Sequence, residues 1–128
     1  MVIDSSAILA VLLHEPERAP LISATRSAVL ISPGSTPWEI GNALIAGWRK
    51  KRLSQEQVQQ AWASFLQVPL RLVDVDVPSA LAAAIESGLY AYDAYVLEAA
   101  LVRRVPLLTL DRTLALAAQR SGVQPVEF

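Results

Sequence analysis

Short runs of apolar residues alternate along the chain with longer stretches in which apolar residues recur at helical spacing. Residues 2–3, 28–31 and 106–111 are typical of buried strands, and residues 123–126 could add a last one. Residues 72–77 alternate at period two, which predicts a strand with one wetter face near a sheet edge. Because strands and helices alternate, we expect an α/β fold with a parallel sheet and helices on both faces.

Several helix boundaries have recognisable sequence signals. Ser5 and Ser6 are expected to cap the first helix, over residues 7–13. Residues 36–39 and 54–57 each have the pattern of a capping box, in which Glu39 and the glutamine at 57 reach back to the cap. Further helices are predicted over residues 78–87, 92–104 and 112–120, and Gly88 should end the first of these.

Composition limits the class of protein. With 128 residues and no cysteine, we expect one domain, over residues 1–128, with no disulfide or thiolate site. No apolar run approaches a membrane span, so a cytoplasmic location is the default expectation. Hydrophobic residues make up 53% of the chain and three are tryptophans, which suggests that some apolar surface meets a partner, either a second copy or another protein.

Charge gives no overall nucleic-acid signal, because the formal net charge is -1. A nucleic-acid contact must therefore rest on local cations. Arg49, Lys50, Lys51 and Arg52 follow one another at a predicted helix end, where cations complement the helix dipole. A solvated helix end is the favoured interpretation, and a contact with RNA or a partner is the alternative.

Four acidic residues are predicted to meet at one edge of the sheet. Asp4 and Asp111 each follow an apolar strand. Glu39 opens a helix that follows a strand, and Asp93 opens the helix before the strand that leads to Asp111. Ligands of open α/β sheets bind at the carboxyl ends of the strands, so we expect these carboxylates to share a crevice there.

Taken singly, each acid is explained as a helix cap or by the helix dipole. Taken together, they form an anionic cluster that no lysine or arginine is expected to neutralise, and such a cluster needs a cation. Carboxylates without histidine or cysteine suit Mg²⁺ or Mn²⁺. A carboxylate-bound divalent ion can bind a phosphate backbone and activate water, which predicts phosphodiester hydrolysis.

These residues resemble those of the PIN-domain ribonucleases, and within them the VapC toxins of toxin-antitoxin pairs. The resemblance covers nearly the whole chain and rests on an ordered set of segments: Val2-Ile3-Asp4-Ser5-Ser6-Ala7, Trp38-Glu39-Ile40-Gly41-Asn42-Ala43-Leu44, Ala91-Tyr92-Asp93-Ala94 and Leu108-Thr109-Leu110-Asp111-Arg112. One departure is Ser5, where the family usually has threonine, and serine keeps the hydroxyl.

The resemblance implies that the catalytic, metal-binding acids are Asp4, Glu39, Asp93 and Asp111. It also implies that Ser6 is a hydroxyl neighbour of Asp4. Asn42 is a second supporting candidate, and Arg112 is a further candidate contact for RNA or a partner. The resemblance also implies a Rossmann-like sheet of order 3-2-1-4-5 and a homodimer neutralised by an antitoxin protein. The expected activity is Mg²⁺- or Mn²⁺-dependent cleavage of RNA by a toxin.

Three alternatives stay open at this point. The chain could be a housekeeping PIN nuclease outside any toxin-antitoxin pair, or a PIN fold that only binds. From another class, a phosphoacceptor receiver-like domain has similar length and strand-end aspartates. That family needs a lysine at the end of its last-but-one strand, whereas the only lysines here are Lys50 and Lys51 at a helix end.

Overall fold

The fold is built on a parallel sheet of four strands, in a computed structural model that describes residues 1–128. The strands are β1 (Val2–Ile3), β2 (Leu30–Pro33), β3 (Leu70–Val73) and β4 (Leu107–Leu108), in the order β3-β2-β1-β4. This order agrees with the predicted one over the strands present. The predicted fifth strand is reduced to a single bridge between Leu107 and Pro125, so the sheet has four strands rather than five.

Seven helices complete the chain: α1 (Ser5–Leu12), α2 (Arg18–Thr25), α3 (Thr36–Arg49), α4 (Gln55–Phe65), α5 (Val77–Ser87), α6 (Ala91–Arg103) and α7 (Arg112–Arg120). None of them combines the length and the apolar character that crossing a bilayer would require. Together with the parallel sheet, the seven helices confirm the α/β architecture predicted from the sequence.

Two separate cores show that the helices cover both faces of the sheet. Val2 and Leu107 pack in one core with α5, α6 and α7, whereas Ile3 and Leu108 pack in the other with α1, α3 and α4. Successive side chains of a strand point to opposite faces, so each of these two-residue strands contributes one residue to each core.

The third strand lies at the sheet edge as predicted, but its position along the chain was predicted wrongly. It covers Leu70–Val73, and Asp74 and Asp76 follow it. The carboxylate of Asp76 accepts a hydrogen bond from the Ser79 backbone N–H at 3.2 Å and so caps α5. Helix capping by aspartate competes with strand formation, which explains why the alternating pattern does not continue to residue 77.

Of the two predicted capping boxes, only the second is present. Ser54 and Gln57 exchange both hydrogen bonds, at 2.8 and 3.1 Å. At the start of α3 the cap residue is Ser35. Its backbone is helical rather than extended, and its side chain makes no capping hydrogen bond. Glu39 therefore does not reach back to Thr36, and its carboxylate is available elsewhere.

The carboxyl ends of β1 and β4 lie side by side and position the candidate site. Ile3 pairs with Leu108, and the backbone N–H of Asp4 donates to the Leu108 carbonyl at 3.0 Å. Asp4 follows β1 and Thr109 follows β4. The two residues therefore lie next to each other at this edge.

Candidate active site

Asp4 lies at the centre of the site, buried at 3% exposure. One oxygen of its carboxylate, Oδ2, accepts hydrogen bonds from the hydroxyls of Ser6 at 2.6 Å and Thr109 at 2.7 Å. Asp4 is the cap residue of α1, but its side chain makes no capping hydrogen bond. The helix-cap explanation is therefore wrong for Asp4, and so is the expectation that Ser5 and Ser6 cap this helix, since both lie inside it.

Thr109 has a role that the sequence did not indicate. Its hydroxyl accepts a hydrogen bond from the Asp111 backbone N–H at 2.9 Å while it donates to Asp4. The Ser6 hydroxyl likewise donates to Asp4 while it accepts a hydrogen bond from the Leu110 backbone N–H at 3.0 Å. The two hydroxyls join the start of α1 to the loop after β4 and fix the Asp4 carboxylate. Only the pairing of β1 with β4 identifies Thr109, because it lies 105 residues away from Asp4 in sequence.

Glu39 projects from the first turn of α3 and is held by Ser5. The Ser5 hydroxyl lies 2.6 Å from Oε1 of Glu39 and 3.4 Å from Oδ1 of Asp4. A serine hydroxyl has a single proton, so the bond to Glu39 is the stronger one. Burial raises the pKa of Glu39, the Ser5 bond lowers it, and the charges of Asp4 and Asp93 raise it further.

Asp93 lies in the first turn of α6 and is half-buried. Burial raises its pKa to about 6, with further increases from the charges of Asp4 and Asp111. The charged groups that act on Glu39 and Asp93 are all other members of the quartet. The structure thus brings the four acids into electrostatic contact at one edge.

Asp111 combines this position with an ordinary capping role. It is exposed, it is the cap residue of α7, and its Oδ1 accepts from the Leu114 N–H at 2.9 Å. The helix-cap explanation therefore holds for one oxygen of Asp111. Its second oxygen takes part in no such bond, and its charge still reaches Asp93.

The donor chemistry of the quartet fits a hard divalent cation, since every available side-chain donor is a carboxylate or hydroxyl oxygen. No three of the acids are arranged as a ready-made ion cage. Two effects keep the carboxylates apart. Like charges repel one another, and hydrogen bonds from the Ser5 hydroxyl and the Leu114 N–H hold Glu39 and Asp111 in place. Residues that could hold an ion are therefore gathered at one edge without being preformed into ligand geometry.

The remaining candidate residues lie at different distances from the quartet. Asn42 is exposed one turn after Glu39, and Arg112 is exposed directly after Asp111. The four cations at positions 49–52 are exposed at the far end of α3, roughly 15 Å along the helix from Glu39 at 1.5 Å per residue. The structure therefore does not bring this cluster to the acids.

The raised pKa of Asp93 predicts a pH dependence of stability. Between its ordinary pKa of 3.8 and about 6 the folded protein holds a proton that the unfolded chain releases, so this contribution to stability is lost as pH rises through that window. Replacing Asp93 with Asn should remove the loss. Because Asp93 is only half-buried, we expect the free energy of unfolding of the variant, relative to wild type, to increase by about 1 kcal/mol between pH ~4 and ~7.5.

Urea unfolding of both proteins at the two pH values measures this difference. The matched control is Asp76→Asn, which alters an exposed helix cap that asparagine can replace. An equal pH response of Asp93→Asn and wild type would contradict the clustering of charge around Asp93.

Comparisons with known proteins agree with this geometry. The family profile described as PIN domain matches residues 1–119. Among solved structures, the chain is similar to that of the crystal structure of PAE2754 from Pyrobaculum aerophilum, with a TM-score of 0.73 and 25% sequence identity, over 98% of this chain and 82% of that one. No curated protein matches the chain.

Proposed function

The chain belongs to the PIN domain family, whose members are generally metal-dependent nucleases, and on that premise we propose that it is a Mg²⁺- or Mn²⁺-dependent endoribonuclease. The observation that carries the proposal is the acidic quartet. Asp4, Glu39, Asp93 and Asp111 share one sheet edge, where burial first and the charges of the neighbouring acids second raise the pKa of Glu39 and Asp93. A cluster of this kind is stabilised by a divalent cation.

In the proposed reaction these four carboxylates hold the ion. A bound divalent ion supplies an activated water and stabilises the charge that develops on the leaving oxygen. The chain itself orients the ligands: Ser6 and Thr109 fix Asp4, and Ser5 holds Glu39. Proton and ion compete for Asp93, whose pKa is about 6 in the ion-free chain, so the affinity for the ion should increase as pH rises towards about 6.

Metal removal tests the proposed reaction directly. Purified protein, free of any partner, should cleave single-stranded RNA of mixed sequence in Mg²⁺ or Mn²⁺ and should not cleave it in excess chelator. Adding back the ion should restore cleavage. Asp76→Asn should behave as wild type, because Asp76 only caps α5. Cleavage that continues unchanged in chelator would contradict the metal-dependent reaction.

We also propose that the chain is the toxin of a type II toxin-antitoxin pair, resembling VapC, and that it forms a homodimer that an antitoxin protein neutralises. Support comes from the apolar surface: Ile85 is 86% exposed and Val102 66% exposed. Large exposed apolar side chains on a chain that is 53% hydrophobic favour burial against a partner. A housekeeping nuclease would share the site but not the antitoxin.

Sedimentation of the purified protein at micromolar concentration tests the partner proposal. We expect a dimer, or a complex with a small co-purifying protein whose removal releases RNA cleavage. Growth arrest on expression of the chain, relieved by the neighbouring gene product, would separate a toxin from a housekeeping nuclease. A protein that stays monomeric, has no partner and leaves growth unaffected would contradict the toxin proposal.

The phosphoacceptor alternative gains no support from the structure. Lys50 and Lys51 are exposed at the end of α3, away from the strand-end carboxylates that a receiver-like site would pair with lysine. Asp74, which follows β3, is not part of the charged group around Asp93. Nuclease chemistry is therefore the better account of the acidic edge.

A further inference from the structure

A groove of about 750 Å³ lies between the first turns of α3 and α6 and the loop after β3. We call it the aromatic groove, because Trp38, Tyr92 and Tyr95 line it together with Val73 and Val75. Trp38 is 76% exposed and Tyr92 49% exposed, so two large aromatic side chains are left open to an occupant.

The aromatic groove adjoins the acidic quartet through the backbone. Trp38 directly precedes Glu39 and Tyr92 directly precedes Asp93, so in each pair the Cα atoms are about 3.8 Å apart. The same two helix turns therefore present an aromatic side chain to the groove and a carboxylate to the candidate site. A nucleic-acid strand cut at the quartet would place a neighbouring nucleotide at this groove.

The lining also suits a nucleobase better than a phosphate. The only charged residue in it is Asp74, which accepts hydrogen bonds and repels phosphate, and neither lysine nor arginine is present. Tyr92 and Tyr95 form an edge-to-face pair with centroids 5.9 Å apart, and both rings belong to the aromatic wall of the groove. Unpaired bases of RNA bind by stacking on such surfaces.

We propose that the aromatic groove binds an unpaired base next to the phosphodiester bond that is cut, with the base stacked on Trp38. The inference rests on the proposed function and adds to it a base-binding subsite, which requires at least one free base beside the scissile bond. Trp38 is then a substrate-binding residue, and structured duplex RNA is a poor substrate because its bases are already stacked.

Fluorescence can test the stacking without any cleavage. The chain has three tryptophans, so Trp48→Phe with Trp62→Phe leaves Trp38 as the only one. In this protein, combined with Asp93→Asn to block cleavage, a short unstructured RNA should quench the fluorescence of Trp38. A ribose-phosphate chain of the same length without bases should not quench it.

Cleavage kinetics supply the second measurement. Base-aromatic stacking contributes about 1–3 kcal/mol by alanine substitution, so Trp38→Ala should raise KM roughly 5- to 150-fold, while Trp38→Phe should retain most of the affinity. Trp48→Ala is the matched control, since Trp48 is 50% exposed on the same helix at its far end. A single abasic nucleotide beside the cut should impair the wild type and have no further effect on Trp38→Ala.

These outcomes separate the groove from the proposed function. If the wild type cleaves RNA and Trp38→Ala has an unchanged KM, the groove does not bind a base, although the nuclease proposal stands. If a protein partner is lost on Trp38→Ala while RNA kinetics stay the same, the occupant is that protein and the base-binding proposal is overturned. If no RNA is cleaved with any metal but bases still quench Trp38, the nuclease proposal fails and with it the placement of the base beside a cut bond, while base binding in the groove stands.

Discussion

Replacing Asp93 with Asn is expected to reduce metal-dependent RNA cleavage by about 100-fold or more while leaving the fold intact. Altering even the outer partners of a metal site typically costs 10- to 100-fold, and Asp93 is proposed as a direct ligand. The fold should tolerate the change because Asp93 is half-buried and its charge is destabilising in its surroundings. Initial cleavage rates at saturating Mg²⁺, with circular dichroism on the same samples, measure both effects.

The control for this prediction is again Asp76→Asn, an aspartate-to-asparagine change of identical size outside the quartet. It should leave the cleavage rate unchanged. If Asp93→Asn cleaves at the wild-type rate, the raised pKa of Asp93 reflects only crowding of helix ends, and the site lies elsewhere. If it instead unfolds the chain, its half-buried carboxylate has a structural role that the geometry does not indicate.

The alternation of strands and helices was sufficient to predict that the acids converge, because it follows from short-range patterns, whereas the strand order came from the resemblance to PIN domains. A parallel sheet brings the carboxyl ends of its strands to one edge, so any strand-end acid is placed once the alternation of elements is known. Asp4 illustrates this, because two β-branched residues that favour a strand precede it and a helical pattern follows it.

The sequence could not predict which donor each acid would find. The pattern at positions 36–39 is a good capping box, yet Glu39 bonds Ser5, which is 34 residues away. Thr109 likewise acquires its role only through the pairing of β1 with β4. Such partners are set by tertiary packing, and a local motif reports only the bond that an isolated helix would make.

The predicted fifth strand does not form, for a related reason. Residues 123–126 have the apolar character of a strand, but Pro125 lacks a backbone N–H and can make only part of a ladder. The chain there still follows the sheet, since the Leu107 N–H donates to the Gln124 carbonyl at 3.0 Å and the Val126 N–H donates back to Leu107 at 2.8 Å. The hydrophobic pattern therefore indicated the correct location but not the number of residues that pair.

Thermal unfolding of wild type and Asp4→Asn, each with and without Mg²⁺, should show the second large effect. A ligand at about 100 times its Kd stabilises the folded state by roughly 2.7 kcal/mol. For a domain of this size that corresponds to a melting shift on the order of 10 °C. If Asp4 is a ligand, Asp4→Asn should lose most of the shift, whereas Asp76→Asn should keep it.

The ion-free melts test whether Asp4 belongs to a crowded anionic site. The structure excludes a capping role for its side chain, and the oxygen of an asparagine can accept the same two hydroxyl bonds from Ser6 and Thr109. Removing one charge from the quartet should then relieve repulsion and stabilise the ion-free protein by about 1 kcal/mol. An ion-binding carboxylate is therefore expected to show opposite signs in the two conditions, with Asp4→Asn more stable than wild type without Mg²⁺ and less stable with it. Equal Mg²⁺ shifts in both proteins would mean that the ion binds away from Asp4, because a nonspecific site does not depend on one buried carboxylate.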